Sequence, residues 1–296
     1  LERNLAKAGV VSADSTLAFP PATPQHAVEY TSSGTPSLLE GARDLWSYRE
    51  LFFFLAWRDI TIRYRQTILG AAWAVLQPLI TMLVFTLLFG VVVKVDTGGI
   101  PAPIFYFSAL LPWMYFAATV TNAGNSLVSN GDLIKKVYFP RLILPGSGAL
   151  VGLADMMIGA VILVLMMAYY GVLSWRLLLW VPLTAILVAF SFGVGVLLSA
   201  VNVKYRDVKH AIPFVIQIWL FLTPVIYPTK AIPPNFRWLL ALNPMAGIID
   251  AFRTTIAPSV PFNSASLLLS IGATVFILVV GMLYFRRVEG YFTDIV

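Results

Sequence analysis

The sequence predicts an all-α integral membrane protein. It reads as six transmembrane helices, with an amphipathic interface helix ahead of the first and a re-entrant helical hairpin before the last. Three observations carry this reading. Of 296 residues, 59% are hydrophobic and only 11% charged, whereas soluble domains carry about 25% charged residues. Apolar runs of about 20 residues, long enough to cross a hydrocarbon core of about 30 Å, recur along the chain. The lysines and arginines cluster beside those runs on alternate connections.

Residues 1–41 are rich in Ser, Thr, Pro, Ala and Gly, show no periodicity and read as a flexible tail. They contain no apolar core of signal-peptide length. The remainder, 42–296, reads as the membrane domain. Its first segment, 44–66, "DLWSYRELFFFLAWRDITIRYRQ", places Leu45, Tyr48, Phe52 and Leu55 on one helical face. Trp57, Arg58, Arg63, Tyr64 and Arg65 suit the lipid headgroup level. The run "LFFFLAW" is apolar all round and Asp59 interrupts it, so the stripe is imperfect.

Six spans follow, at about 71–93, 103–123, 143–170, 177–201, 208–227 and 265–285. Pro112 and Pro213 predict kinks in two of them. Between the second and third spans lies "GDLIKKVYFPRLILP". Pro140 disfavours helix at Phe139 and marks a turn between a short helix and the third span. Lys135, Lys136 and Arg141 flank Val137, Tyr138 and Phe139, so Tyr138 and Phe139 read either as a partner-binding hot spot or as aromatic anchors of a basic loop. Residues 228–258 are amphipathic and broken at Asn243–Pro244 into helices of about 8 and 12 residues, too short to cross at about 1.5 Å per residue. They read as a re-entrant hairpin, with an ordinary loop as the alternative. With both termini inside, fifteen of the twenty Lys and Arg share that side, and Lys94, Arg176, Lys230, Arg237 and Arg253 fall outside.

The same residues exclude several functions. There is no cysteine, and His26 and His210 are the only histidines, so disulfides, thiolate sites and a histidine metal site are out. No G-x-x-x-x-G-K-[ST] or H-E-x-x-H occurs, and no span holds paired carboxylates. Net charge is +6, but its placement beside spans suits anionic lipid rather than nucleic acid. Asp155 is the one acidic residue well inside a clear span, either functional or simply hydrogen-bonded in the bundle. Gly148 and Gly152 form a G-x-x-x-G that lets helices approach. Trp73, Phe85, Phe89, Tyr115, Phe116, Trp219 and Phe221 lie within spans, and could pack against lipid or stack on sugar rings in a pore.

Three blocks, "LAWRDITIRYRQTILGAAWAVLQPL", "GDLIKKVYFPRLILP" and "LTPVIYP…NPMAGIIDAFR", occur in the order and spacing of one family. Over residues 45–290 the chain resembles the permease subunits of ABC-2 type polysaccharide exporters, which move O-antigen, capsule or teichoic acid polymers. The resemblance implies a multi-pass protein of the bacterial inner membrane with both termini cytoplasmic. It also implies a homodimer working with two copies of a separate ABC ATPase that holds the ATP and Mg. This chain would then bind no cofactor and catalyse no reaction. By position, about 130–139 would be the coupling helix, with Asp132–Phe139 seated in the ATPase. Trp57–Gln66 would lie near the same partner, and 232–256 would form an outer gate in which Asp250 and Arg253 could pair. Arg58, Arg63 and Arg65 would meet the pyrophosphate of a lipid-linked glycan. Rival readings are an ABC-2 permease for a drug or lipid, a membrane enzyme of glycan assembly, and a scaffold.

Overall fold

The computed structural model describes residues 46–65, 72–205, 207–256 and 262–290. The tail expected over 1–41 lies outside them. All regular structure among these residues is helical. Helix α1 (Arg49–Arg65) matches the expected interface segment in position. Leu55 and Ala56 are buried, while Phe53, Phe54, Trp57 and Ile62 are exposed on its other sides. A single apolar stripe is therefore not formed.

Helix α2 (Ala72–Phe85) continues into a π-wound stretch, Thr86–Val92. Next come α3 (Ala102–Ser129), the short α4 (Gly131–Lys136), α5 (Ile143–Tyr169) and α6 (Trp180–Lys204, entered through a 3-10 turn at Trp175–Leu179). Helix α5 stops where Gly171 turns left-handed (φ +68°) and Val172 N–H closes onto the Met167 carbonyl, a stop that glycine makes without steric cost. After α7 (Val208–Leu222), α8 (Arg237–Ala241) and α9 (Pro244–Ile256), α10 (Ser264–Glu289) closes the described fold.

Among the described residues, five stretches are long and apolar enough to cross a membrane: α2 with its extension, α3, α5, α6 with its entry turn, and α10. The expected span at 208–227 differs. Its helix has 15 residues, about 22 Å, against a core of about 30 Å. Thr223 leaves the helix at φ −105°, ψ 137°, because the residue before a proline is pushed out of the α region. Residues 223–226 then run as irregular, buried chain. Over 232–256, where the sequence predicts a hairpin of two helices of about 8 and 12 residues, lie α8 and α9, of 5 and 13 residues.

Helix α3 sits at the centre, packed against both α5 and α6, and α10 packs on α6. Three of its hydroxyls serve themselves: Ser108, Thr121 and Ser126 donate to carbonyls three or four residues back, so these three need no partner from lipid. The G-x-x-x-G of α5 makes the expected close approach. A Cβ on Gly148 would meet Ala123 N at 3.2 Å, and one on Gly152 the Thr119 hydroxyl at 3.1 Å. A tight backbone crossing also joins α6 to α10, where a Cβ on Gly281 would lie 2.7 Å from the Gly193 carbonyl oxygen. Gly281→Val should therefore separate these helices at a cost of roughly 1–3 kcal/mol. Thermal unfolding in detergent should show a lowered midpoint, while Gly272→Ala in the same helix, where nothing lies within 4 Å, should match the parent.

Candidate functional site

A cleft of about 990 Å³ opens between α1, α2, α3 and α5. Charged, polar and aromatic side chains line it, set among aliphatic ones such as Leu111, Val151 and Met156. Helix α1 contributes Arg58, Asp59, Arg63 and Tyr64; α2 and α3 contribute the amides and hydroxyls of Gln77, Thr121, Asn122 and Asn125; Trp73, Trp113 and Tyr115 add aromatic surface. Such a mixture of cation, amide and ring can hold a molecule that is both anionic and sugar-like.

The charges are arranged in pairs. Arg58 donates through Nε and Nη2 to Asp59 at 2.9 and 2.8 Å, and through Nη2 to Asn130 Oδ1 at 3.1 Å, at the start of α4. Arg63 pairs with Asp155 of α5 at 3.0 Å. Tyr64 donates its hydroxyl to the other oxygen of the same carboxylate. The Tyr64 hydroxyl is pushed up to about 12, first by burial and then by its hydrogen bond to Asp155 and that residue's charge, against the pull of Arg63. It thus stays protonated, and a donor, at any physiological pH. Of the three arginines expected at the headgroup level, two are in the cleft and both are neutralised there. The Arg65 side chain lies outside the described residues.

The expected coupling residues fall around α4. Asp132, Lys135 and Lys136 are exposed. Val137 takes an extended conformation (φ −133°, ψ 133°), and consecutive side chains in extended chain point to opposite sides. Tyr138 is accordingly 73% exposed and Phe139 only 4%. Phe139 packs in a cluster with Leu55, Leu127, Ile134, Ile143 and Phe285. This corrects the expectation that both rings project: one projects and the other anchors. Arg141 is also drawn inward, donating to the Glu289 carbonyl at the end of α10.

The aromatics expected along a pore divide likewise. Trp73 and Tyr115 line the cleft. Phe116 is fully buried, stacked on Phe190 at 5.6 Å and edge-on to Trp219 at 4.9 Å. Phe85 and Phe89 pack against Tyr106. Phe221 is exposed on α7. Phe116 is thus a core residue rather than a wall.

On α9, Asp250 and Arg253 do not form the ion pair that the resemblance suggests. The Thr229 hydroxyl donates to Asp250 at 3.1 Å. Arg253, 5% exposed, donates to the carbonyls of Pro224, Val225 and Tyr227, and its guanidinium lies 3.9 Å from the Phe105 ring centroid. Asn243, which drew no role from its sequence position beyond breaking a helix, is fully engaged. Its Oδ1 accepts from Trp219 Nε1 and Met245 N; its Nδ2 donates to the Leu222 carbonyl and the Thr223 hydroxyl. The Asn-Pro pair was the available signal, since Asn caps and Pro opens helices.

Comparison with known proteins adds what geometry cannot. The family described as "ABC-2 type transporter" matches residues 50–257. The O-antigen export system permease protein RfbA of Myxococcus xanthus is 34% identical over 71% of this chain and 82% of its own length. The RfbA permease of Klebsiella pneumoniae is 29% identical over 83% of this chain and 95% of its own length. The polysialic acid transport protein KpsM of Escherichia coli is 22% identical over 78% and 91%.

Proposed function

Because the chain belongs to the ABC-2 type transporter membrane family, we propose that it is the permease of an ATP-driven exporter that moves a lipid-linked polysaccharide across the bacterial inner membrane. O-antigen is the first candidate, because the RfbA relatives are permeases of O-antigen export systems. Two copies of the chain work with two copies of a separate ABC ATPase, which holds ATP and Mg; this chain contributes binding and movement rather than catalysis. The observation that carries the reading is the cleft, where paired arginines adjoin amides and aromatic rings. A lipid-linked glycan carries an anionic headgroup joined to sugar, and the lining matches both parts.

The bias of Lys and Arg supports cytoplasmic termini and a cytoplasmic α4. There the exposed Tyr138, flanked by Lys135 and Lys136, presents a compact surface to the ATPase. Hydrolysis moves α4, and the motion passes to the bundle through Phe139 in its apolar cluster and through Asn130, which accepts from Arg58. The test is reconstitution of the chain with its ABC ATPase. Lipid-linked glycan should stimulate ATP hydrolysis and be carried across in an ATP-dependent manner. Stimulation by drugs or simple phospholipids, with no response to glycan, would overturn the substrate assignment.

A further inference from the structure

We propose that Asp155 is a resident counter-ion that a pyrophosphate headgroup displaces from Arg63 when a lipid-linked substrate enters the cleft; this rests on the export function proposed above. The two arginine–aspartate pairs of the cleft differ in kind. Arg58 and Asp59 are sequence neighbours on one helix, so they move together and cannot report on anything between helices. Arg63 and Asp155 join α1 to α5. Both side chains of that pair keep access to the cleft, 41% and 21% exposed, and a pair this accessible to solvent is weak enough to exchange.

The chemistry of exchange is favourable. A guanidinium presents a planar fork that a phosphate accepts as readily as a carboxylate. When phosphate takes Arg63, Asp155 is left as an anion, but Tyr64 still donates to it from the neighbouring position on α1. At rest the reverse holds: Asp155 neutralises Arg63, so that guanidinium does not stand unpaired in the cleft. Asp155 lies 12 residues into α5, about 18 Å along it, so exchange would loosen α1 well along the bundle. The same helix reaches the start of α4 through Arg58 and Asn130. Occupancy of the cleft is thereby felt where the ATPase docks.

The experiment measures equilibrium binding of radiolabelled farnesyl pyrophosphate to the complete permease–ATPase complex in nanodiscs without ATP. Inorganic pyrophosphate and farnesol serve as comparison arms. Asp155→Asn removes the competitor and should lower the half-saturating concentration about three- to tenfold. Tyr64→Phe leaves Asp155 fewer donors, tightens its hold on Arg63 and should raise that concentration, about twofold. Arg63→Gln should lose most binding. A purely structural tether would weaken the fold in both variants and shift neither affinity, or shift both the same way; either result overturns the proposal. Tighter binding of farnesyl pyrophosphate than of either comparison compound supports a lipid headgroup as the source, and equal binding of inorganic pyrophosphate overturns it. If the wild-type complex binds none of these probes and exports no glycan, the export reading fails and this inference with it. Glycan export with unchanged affinity in Asp155→Asn defeats the inference alone.

Discussion

Arg253→Met should destabilise the protein by roughly 3–5 kcal/mol, among the largest losses open to a single substitution here. The reason lies in the break at Thr223–Pro224. Irregular backbone at membrane depth is tolerated only where protein supplies its hydrogen bonds. Here the Arg253 guanidinium supplies them, donating to three carbonyls of the segment that α7 leaves behind. Methionine fills the volume and contributes no donor, so those carbonyls are orphaned together, at about 1–3 kcal/mol for each buried group left unpaired. Lysine keeps the charge but offers a point donor in place of a fork, and should recover only part of the loss. Thermal unfolding of the three proteins in detergent should rank Arg above Lys above Met. A methionine variant as stable as its parent would mean that the segment draws its hydrogen bonds from elsewhere.

Tyr138→Ala and Phe139→Ala, one residue apart, should fail in different ways. Phe139 is buried among Leu127, Ile143 and Phe285, and removing a buried phenyl ring costs about 3–5 kcal/mol in cavity and lost transfer energy. Expression and thermal midpoint should drop. Tyr138 projects, so its truncation should leave the midpoint unchanged within about 0.5 kcal/mol. If it is the interface anchor proposed above, its loss should instead weaken ATPase docking by about 2 kcal/mol, roughly thirtyfold in affinity. Pull-down of the ATPase and glycan-stimulated hydrolysis separate the two outcomes. Equal loss of stability in both variants would contradict the alternation of these side chains.

Much of this was legible in the residues. Helices α2, α3, α5, α6 and α10 follow from long apolar runs, and the Gly148–Gly152 approach follows from spacing. The shortened α7 had a local signal as well, Pro224 after Thr223, which apolar content over 208–227 concealed. Hydropathy sums along the chain and is blind to where a helix loses its hydrogen bonds. The opposed fates of Tyr138 and Phe139 were half-legible: Pro140 forces extended chain before it, and extended chain alternates. Arg253 illustrates a different failure. Counted only as a charge on the outer side, it is also a buried donor, which a charge count misses because it records residues and not the direction of side chains. The Arg63–Asp155–Tyr64 cluster joins positions about ninety residues apart, and no local pattern reports a pairing at that range. Asp155 itself was visible as an anomaly, a carboxylate inside an apolar run, but its partners were not.

The proposed export mechanism requires a separate ATPase to engage the segment around Tyr138 from the cytoplasmic side. The chain has no cysteine, so a single Val137→Cys variant, at a position 51% exposed, reports without background. In membranes holding the ATPase, a short bifunctional crosslinker should join the introduced thiol to that subunit, and lipid-linked glycan with ATP should change the yield. Labelling of the same thiol by an impermeant maleimide added outside intact spheroplasts, with no crosslink to the ATPase, would contradict it.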